Sequence, residues 1–313
     1  MSDSVMGFLS LDHRDRNLDH PEYALDFKTF SGHASQMSRE IWLLEEHYRE
    51  CAKTLLGICY RNGSKHVSSA LSCLELLVHC FFLKMDPADQ LILSKGHAAA
   101  ALYSVLFHKG LLSARELETF ERDGTRLPSH PGAQAPDRLV PGIPFGTGSL
   151  GHGLSLAAGM ALGKKWDGSG EQIFCLISDG ECQSGSTWEA ALFSSHHQLS
   201  NLNVLVDANG LQAFGATEQV LSVEPLVEKW RSFGFLVEVA EDGNGFESIQ
   251  AASQRLAESR QREARPRPSC LIARTKKGGL VSFMRDRLQW HYLPLGEDDY
   301  RVALEEVSRS NAK

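Results

Sequence analysis

The second half of the chain alternates between two periodicities, and this alternation restricts its fold more than any other feature. From Gln172 onward, the apolar runs IFCLI (173–177), NVLVD (203–207), FLVEVA (235–240) and CLIART (270–275) are separated by helical patterns over 187–199, 225–233 and 246–258. Short, continuous apolar runs describe strands buried on both faces, as in a parallel sheet. Strand–helix–strand units of this length close by right-handed crossovers. The expected fold class is therefore α/β, a doubly wound, mostly parallel sheet with helices on both faces.

The first half supplies the rest of such a domain. Residues 1–37 carry neither period and are expected to form an N-terminal arm, with the domain spanning 38–313. Ile41, Leu44, Tyr48, Leu55 and Ile58 recur at helical spacing up to Asn62-Gly63. A second helix is expected from about Ser72 to Lys84, a strand at 91–93, and an alanine-rich helix ending by Gly110. Ser113 with Glu116 reads as a capping box. Residues 124–148 form a long loop rich in proline and glycine, a candidate wall for an active site. The run LSLAAGMALG (154–163) is small and apolar nearly all round, the pattern of a buried helix.

Composition narrows the class of function. With 42% hydrophobic and 23% charged residues and a net charge of -7, the chain reads as a soluble globular protein with no electrostatic affinity for nucleic acid or anionic membrane. No apolar run is long enough to span a bilayer, and the polar start does not resemble a signal peptide, so the expected location is the cytoplasm. Seven cysteines without a CxxC pair fit a reducing compartment better than a disulfide framework.

In a doubly wound sheet, ligands bind beyond the carboxyl ends of the strands. One strand ends in Ser178-Asp179-Gly180-Glu181 and the next in Asp207-Ala208-Asn209-Gly210, with a single crossover between them. Asp179 and Asn209 are thus expected to lie a few ångströms apart. A carboxylate, an amide oxygen and a nearby carbonyl are hard ligands of the kind that hold Mg²⁺ when a phosphate completes the shell. Equally, Asp-Gly and Asn-Gly are ordinary turn dipeptides, and both readings stand at this level.

GTGSLGHG (146–153) contains the letters GxGxxG, but Pro141 and Pro144 in its approach oppose the preceding strand that a dinucleotide site needs. A glycine loop opening a helix suits a diphosphate in general. Close helix packing through Gly153, Gly159 and Gly163, without any ligand, would use the same residues.

Taken together, the motifs resemble the N-terminal half of transketolase. SDGECQSGSTWEAALFSSHHQLSNLNVLVDANG (178–210) is similar to the thiamine diphosphate motif, with thirty positions from Asp179 to Asn209. GSKHVSSALS (63–72), DQLILSKGHAAAALYSVL (89–106), LPSHP (127–131), GTGSLGHG and WHYLPLG (290–296) follow in the family's order. The resemblance covers roughly residues 40–300. It implies the diphosphate-binding (PP) module of the thiamine diphosphate fold.

The resemblance further implies that Asp179, Asn209 and the Leu211 carbonyl ligate Mg²⁺ or Ca²⁺. Gly148, Ser149, Leu150, Gly180, Glu181 and Asn209 would contact the cofactor, with His97 and His291 beside its diphosphate and thiazolium. His66, His130 and His291 would be the catalytic histidines facing sugar or sugar-phosphate substrates. Imidazoles suit that work because they exchange protons near neutral pH.

The activity implied is transfer of a two-carbon ketol unit from a ketose to an aldehyde acceptor. In the family, the glutamate that activates the cofactor lies on a pyrimidine-binding domain, and this chain ends at Lys313 before such a domain would begin. A separate C-terminal transketolase subunit is therefore expected as partner, in an α2β2 assembly.

Two other readings use some of the same residues: the alpha subunit of a thiamine-dependent 2-oxo-acid dehydrogenase, and a degenerate subunit that binds its partner without chemistry. Departures from the family pattern fall at Lys65, Val67, Ser68, Ser69, Ser178, Ser184 and Phe214.

Overall fold

The computed structural model of the protein describes residues 36–132 and 139–309. Residues 1–35 of the expected arm, and six residues of the proline-rich loop, lie outside that range. The described chain opens on helix α1 (Gln36–Asn62), followed by α2 (Val67–Ser72), α3 (Leu74–His79) and a π-helical turn over Cys80–Lys84. Strand β1 (Gln90–Leu93) leads through a short 3₁₀ turn into α4 (Ala99–His108), then α5 (Ala114–Leu117) and α6 (Gly153–Asp167).

The alternating half then runs as β2 (Ile173–Ser178), α7 (Gly185–His196) and β3 (Leu202–Asp207). A small hairpin of β4 (Leu211–Gln212) and β5 (Gly215–Ala216) follows, then α8 (Thr217–Leu221) and α9 (Leu226–Ser232). The remaining elements are β6 (Leu236–Ala240), α10 (Phe246–Arg262), β7 (Ser269–Ala273) and α11 (Glu297–Arg309).

The main sheet has the order β1-β2-β3-β7-β6 and is parallel throughout. All six residues of β2 are buried, as a central strand covered on both faces requires. Side chains alternate between two cores. Leu91, Phe174, Leu176, Leu205 and Leu271 point into a core shared with α1 to α4, α10 and α11, while Ile92, Cys175, Ile177, Val204 and Ile272 pack against α6, α7 and α9. All seven cysteines are free and buried.

Two local expectations are corrected. The helix expected from Ser72 to Lys84 begins at Val67, breaks at Cys73 and finishes as a π turn. Its early start is held from outside: Ser68 donates a 2.9 Å hydrogen bond to the Trp290 carbonyl and accepts one from the Gly278 amide through its own carbonyl. The apolar helix α6 is covered on one side only, since Ser155 and Gly159 face outward. Gly153, by contrast, is forced, because a Cβ there would lie 2.3 Å from Ser94.

The capping box at Ser113 and Glu116 forms as expected. Among the described residues no helix is long and apolar enough to cross a membrane.

Candidate active site

Register brings the two acidic strand ends together. Ser178 pairs with Asp207 across β2 and β3, so the residues that follow them share one rim of the sheet. The Asp179 carboxylate accepts hydrogen bonds from the Gly180 amide at 2.8 Å, the Gly210 amide at 2.9 Å and the Thr217 hydroxyl at 3.1 Å. Burial and the nearby Asp207 charge raise its pKa, and these hydrogen bonds oppose the rise. Asp179 forms no ion pair among the described residues, so its charge is left for a cation to neutralise.

Asn209 is oriented by its own amide. Its Nδ2 donates to Ser72 at 3.0 Å and to Asp207 at 3.3 Å, which turns Oδ1 the other way, onto the Leu211 amide at 3.0 Å. The Leu211 carbonyl already faces a cation, with Lys277 Nζ 3.5 Å away.

Asp179, Asn209 and the Leu211 carbonyl therefore offer three hard oxygens from adjacent loops, the donor chemistry of a Mg²⁺ site shared with phosphate. No group of three or more His, Cys, Asp or Glu placed to hold a metal ion occurs among the described residues, and this donor set needs only one. Gly180 is tightly placed as well, since a Cβ there would approach Gln212 Oε1 to 3.1 Å.

Above this rim four imidazoles converge from four different segments. The His66 ring centroid lies 4.9 Å from that of His291, 5.5 Å from His97 and 6.1 Å from His130. His66 precedes α2 in a left-handed conformation with φ 63°, and its amide donates to the His291 carbonyl at 3.2 Å. His97 comes from the turn after β1, and His130 from the proline-rich loop, with Gly148 lying against it. Tyr292 adds a ring 5.4 Å from His66.

All four histidines have depressed pKa values, first through burial. His66 is pushed down to about 4 and His291 to about 3, with neighbouring cations adding to the effect. His97 and His130 shift the same way. The cluster is thus neutral imidazole at physiological pH, set beside the ammonium groups of Lys277 and Lys95.

Those two lysines were not among the residues singled out from the sequence. Lys277 is 1% exposed and lies 2.7 Å from His291 Nδ1. Lys95 forms a wholly buried ion pair with Asp207 and also donates to the Ser69 carbonyl at 3.1 Å. Thr275 and Ser72 complete the shell around Asp207. A charged residue at the carboxyl end of a buried strand, or two positions beyond it, is the signal that could have marked both members of the pair.

Lys277 carries no such signal, because it reaches the site from the long segment after β7. With the imidazoles neutral, Lys95 and Lys277 match the charges of Asp207 and Asp179 in number, and Lys277 is the lysine of the two that has no carboxylate partner among the described residues.

Three further residues occupy the loop before α6. Gly148 is half-buried, while Ser149 and Leu150 are exposed at its tip. Glu181 is placed behind that loop, fully buried. It accepts from the Gly151 amide at 2.8 Å and from the Ser94 hydroxyl, so this carboxylate braces the loop against β1. No strand leads directly into the loop among the described residues, which leaves GxGxxG without its dinucleotide context.

A parallel sheet with hard oxygen donors at its carboxyl edge and an imidazole–ammonium cluster beside them defines an α/β domain with a polar site at the ends of its strands. Residues 82–308 match the family model described as "Transketolase, thiamine diphosphate binding domain". The chain belongs to the transketolase family.

It is 37% identical over 259 residues to the 6-deoxy-6-sulfo-D-fructose transketolase subunit SqwG of Clostridium sp. (strain MSTE9), covering 80% of this chain and 90% of that protein. Identity to one of the subunits of the apulose-4-phosphate transketolase of Phocaeicola vulgatus is 34% over 278 residues, covering 86% and 95%. The transketolase of Campylobacter jejuni superposes with a TM-score of 0.72 at 26% identity, over 86% of this chain and 43% of that one. That of Leishmania mexicana shares the fold, with a TM-score of 0.74. The chain spans 42% of the Leishmania protein.

Proposed function

We propose that the chain is the diphosphate-binding subunit of a two-subunit, cytoplasmic transketolase that moves a two-carbon ketol unit from a ketose to an aldehyde acceptor. The observation that carries the proposal is the meeting of Asp179, Asn209 and the Leu211 carbonyl at one sheet rim, beneath His66, His97, His130 and His291. The three oxygens would hold Mg²⁺ or Ca²⁺. His97, His291 and Lys277 would face the diphosphate, while Gly148, Ser149, Leu150 and Gly180 would line its place.

Thiamine diphosphate, when bound, supplies the nucleophilic carbon that carries the ketol unit. The chain's own groups position and neutralise. Lys277, together with the divalent cation that Asp179, Asn209 and the Leu211 carbonyl would hold, would balance the charge of the diphosphate. His66 has a buried Nδ1 with no partner in the described residues, available to hold or accept a proton at a substrate hydroxyl oxygen. His130, half-buried at the mouth, would do the same on the solvent side. Glu181 acts through the loop it braces.

A partner is supported by two facts. The relatives matched over nearly their whole length are themselves named as subunits. In addition, the loops that carry the site expose large apolar side chains: Phe145, Leu150, Tyr292, Leu293 and, 84% exposed, Phe214. Apolar surface gathered around a polar site marks a covered interface. A separate pyrimidine-binding subunit in an α2β2 assembly fits that surface.

Reconstitution tests the proposal. Ketol transfer is expected only when this chain, its partner, Mg²⁺ and thiamine diphosphate are present together. Asp179→Asn, which keeps the shape but removes the charge, should weaken Mg²⁺-dependent cofactor binding by about 100-fold or more in calorimetry. Turnover by this chain alone, or decarboxylation of a 2-oxo acid by the pair, would reject it.

A further inference from the structure

A cavity of about 210 Å³ lies at the other end of the sheet. Phe174, Leu205 and Leu271, from three adjacent strands, supply apolar surface, and Ala257 of α10, itself exposed, adds to the lining. Asn203 and Ser269 pair across the strands there, while Asp207 pairs with Ala273 at the candidate active site, so about 13 Å of strand separates the two. An apolar cavity of about 150 Å³ is already large enough to admit a benzene ring.

The cavity also holds two cations that have no carboxylate partner among the described residues. Arg260 donates from Nη2 to the neutral acceptors Asn203 Oδ1 at 2.7 Å and Ser269 Oγ at 2.8 Å. Its Nε is enclosed and has no acceptor. Lys84, at the end of the π turn, is influenced by the Glu40 charge but forms no ion pair among the described residues. Burial depresses the pKa of both groups. Single π turns recur at functional sites, and this one contributes Cys80 and Lys84 to the lining. Leaving two cations half-desolvated costs free energy that an anion would recover.

We propose that this cavity is a second ligand site, for a small molecule with one oxyanion on a compact apolar body. The oxyanion lies against Arg260 and Lys84 and the body over Phe174, Leu205 and Leu271. Carboxylates and phosphate monoesters share this chemistry. The site is remote from the Asp179 rim, so its occupancy does not compete with the cofactor and the inference stands independently of the proposed activity.

Fluorine NMR titration of the full chain with 4-fluorobenzoate, 4-fluorophenyl phosphate and neutral 4-fluorobenzyl alcohol tests the site. Saturable binding of at least one anion is expected, at least about tenfold tighter than the alcohol. Arg260→Gln and Lys84→Gln should each weaken the anion by about tenfold, the usual scale of one charge-assisted hydrogen bond. The cavity-filling Ala257→Phe should abolish binding while circular dichroism stays native, which guards against Arg260→Gln failing to fold. The proposal is overturned by equal binding of acid and alcohol, by an anion affinity unchanged in these variants, by displacement with thiamine diphosphate, or by no saturable binding at millimolar probe.

Discussion

Lys95 and Asp207 meet where almost no solvent reaches, their side chains 1% and 0% exposed. Burying both charges is costly, and the surrounding hydrogen bonds from Ser72 and Thr275, with the Ser69 carbonyl on Lys95, make the pair tolerable. Its benefit is positional, because Asp207 holds the Asn209 amide and so aims Asn209 Oδ1. Lys95→Met should destabilise the chain by about 3–5 kcal/mol in urea unfolding, since it strands the Asp207 charge. The double variant Lys95→Met/Asp207→Leu should regain much of that loss, and a double variant as unstable as the single one would contradict this account. The sequence displayed both residues next to recognised motifs, yet their pairing depends on β1 and β3 lying on either side of β2, which no local pattern states.

Helix α6 shows how one element can serve two demands. Its first residue, Gly153, must be glycine because Ser94 leaves no space for a Cβ, and the Gly153 amide donates to Ser94 Oγ at 3.1 Å. Gly159, on the outward side, has nothing within 4 Å of its Cβ position. Gly153→Ala should therefore cost about 1–3 kcal/mol through overpacking. Gly159→Ala should stabilise the isolated chain by about 0.5–1 kcal/mol, through helix propensity alone. Equilibrium denaturation of both variants decides this, and the same sign for the two would refute the assignment of faces. The glycine letters could not separate these cases, because a glycine required by packing and a glycine left open to solvent read identically.

At the scale of the molecule, two cores sit on opposite faces of one sheet and share its strands residue by residue. Trp230 belongs to one core and Trp290 to the other, so single-tryptophan variants reporting on each should give coincident urea transitions. Separate midpoints would show that the faces unfold independently. The order of strands and helices, the parallel sheet and the meeting of Asp179 with the Asn209 loop follow from the sequence, because apolar periodicity and crossover handedness act over short stretches of chain. The family resemblance singled out His66, His97, His130 and His291 among the thirteen histidines, whereas the tertiary structure alone decided how closely their rings approach, how Lys277 joins them and why His66 adopts a left-handed backbone. Those outcomes rest on contacts such as Ser68 with Trp290, 222 positions apart, whose partners become neighbours only once the sheet has formed.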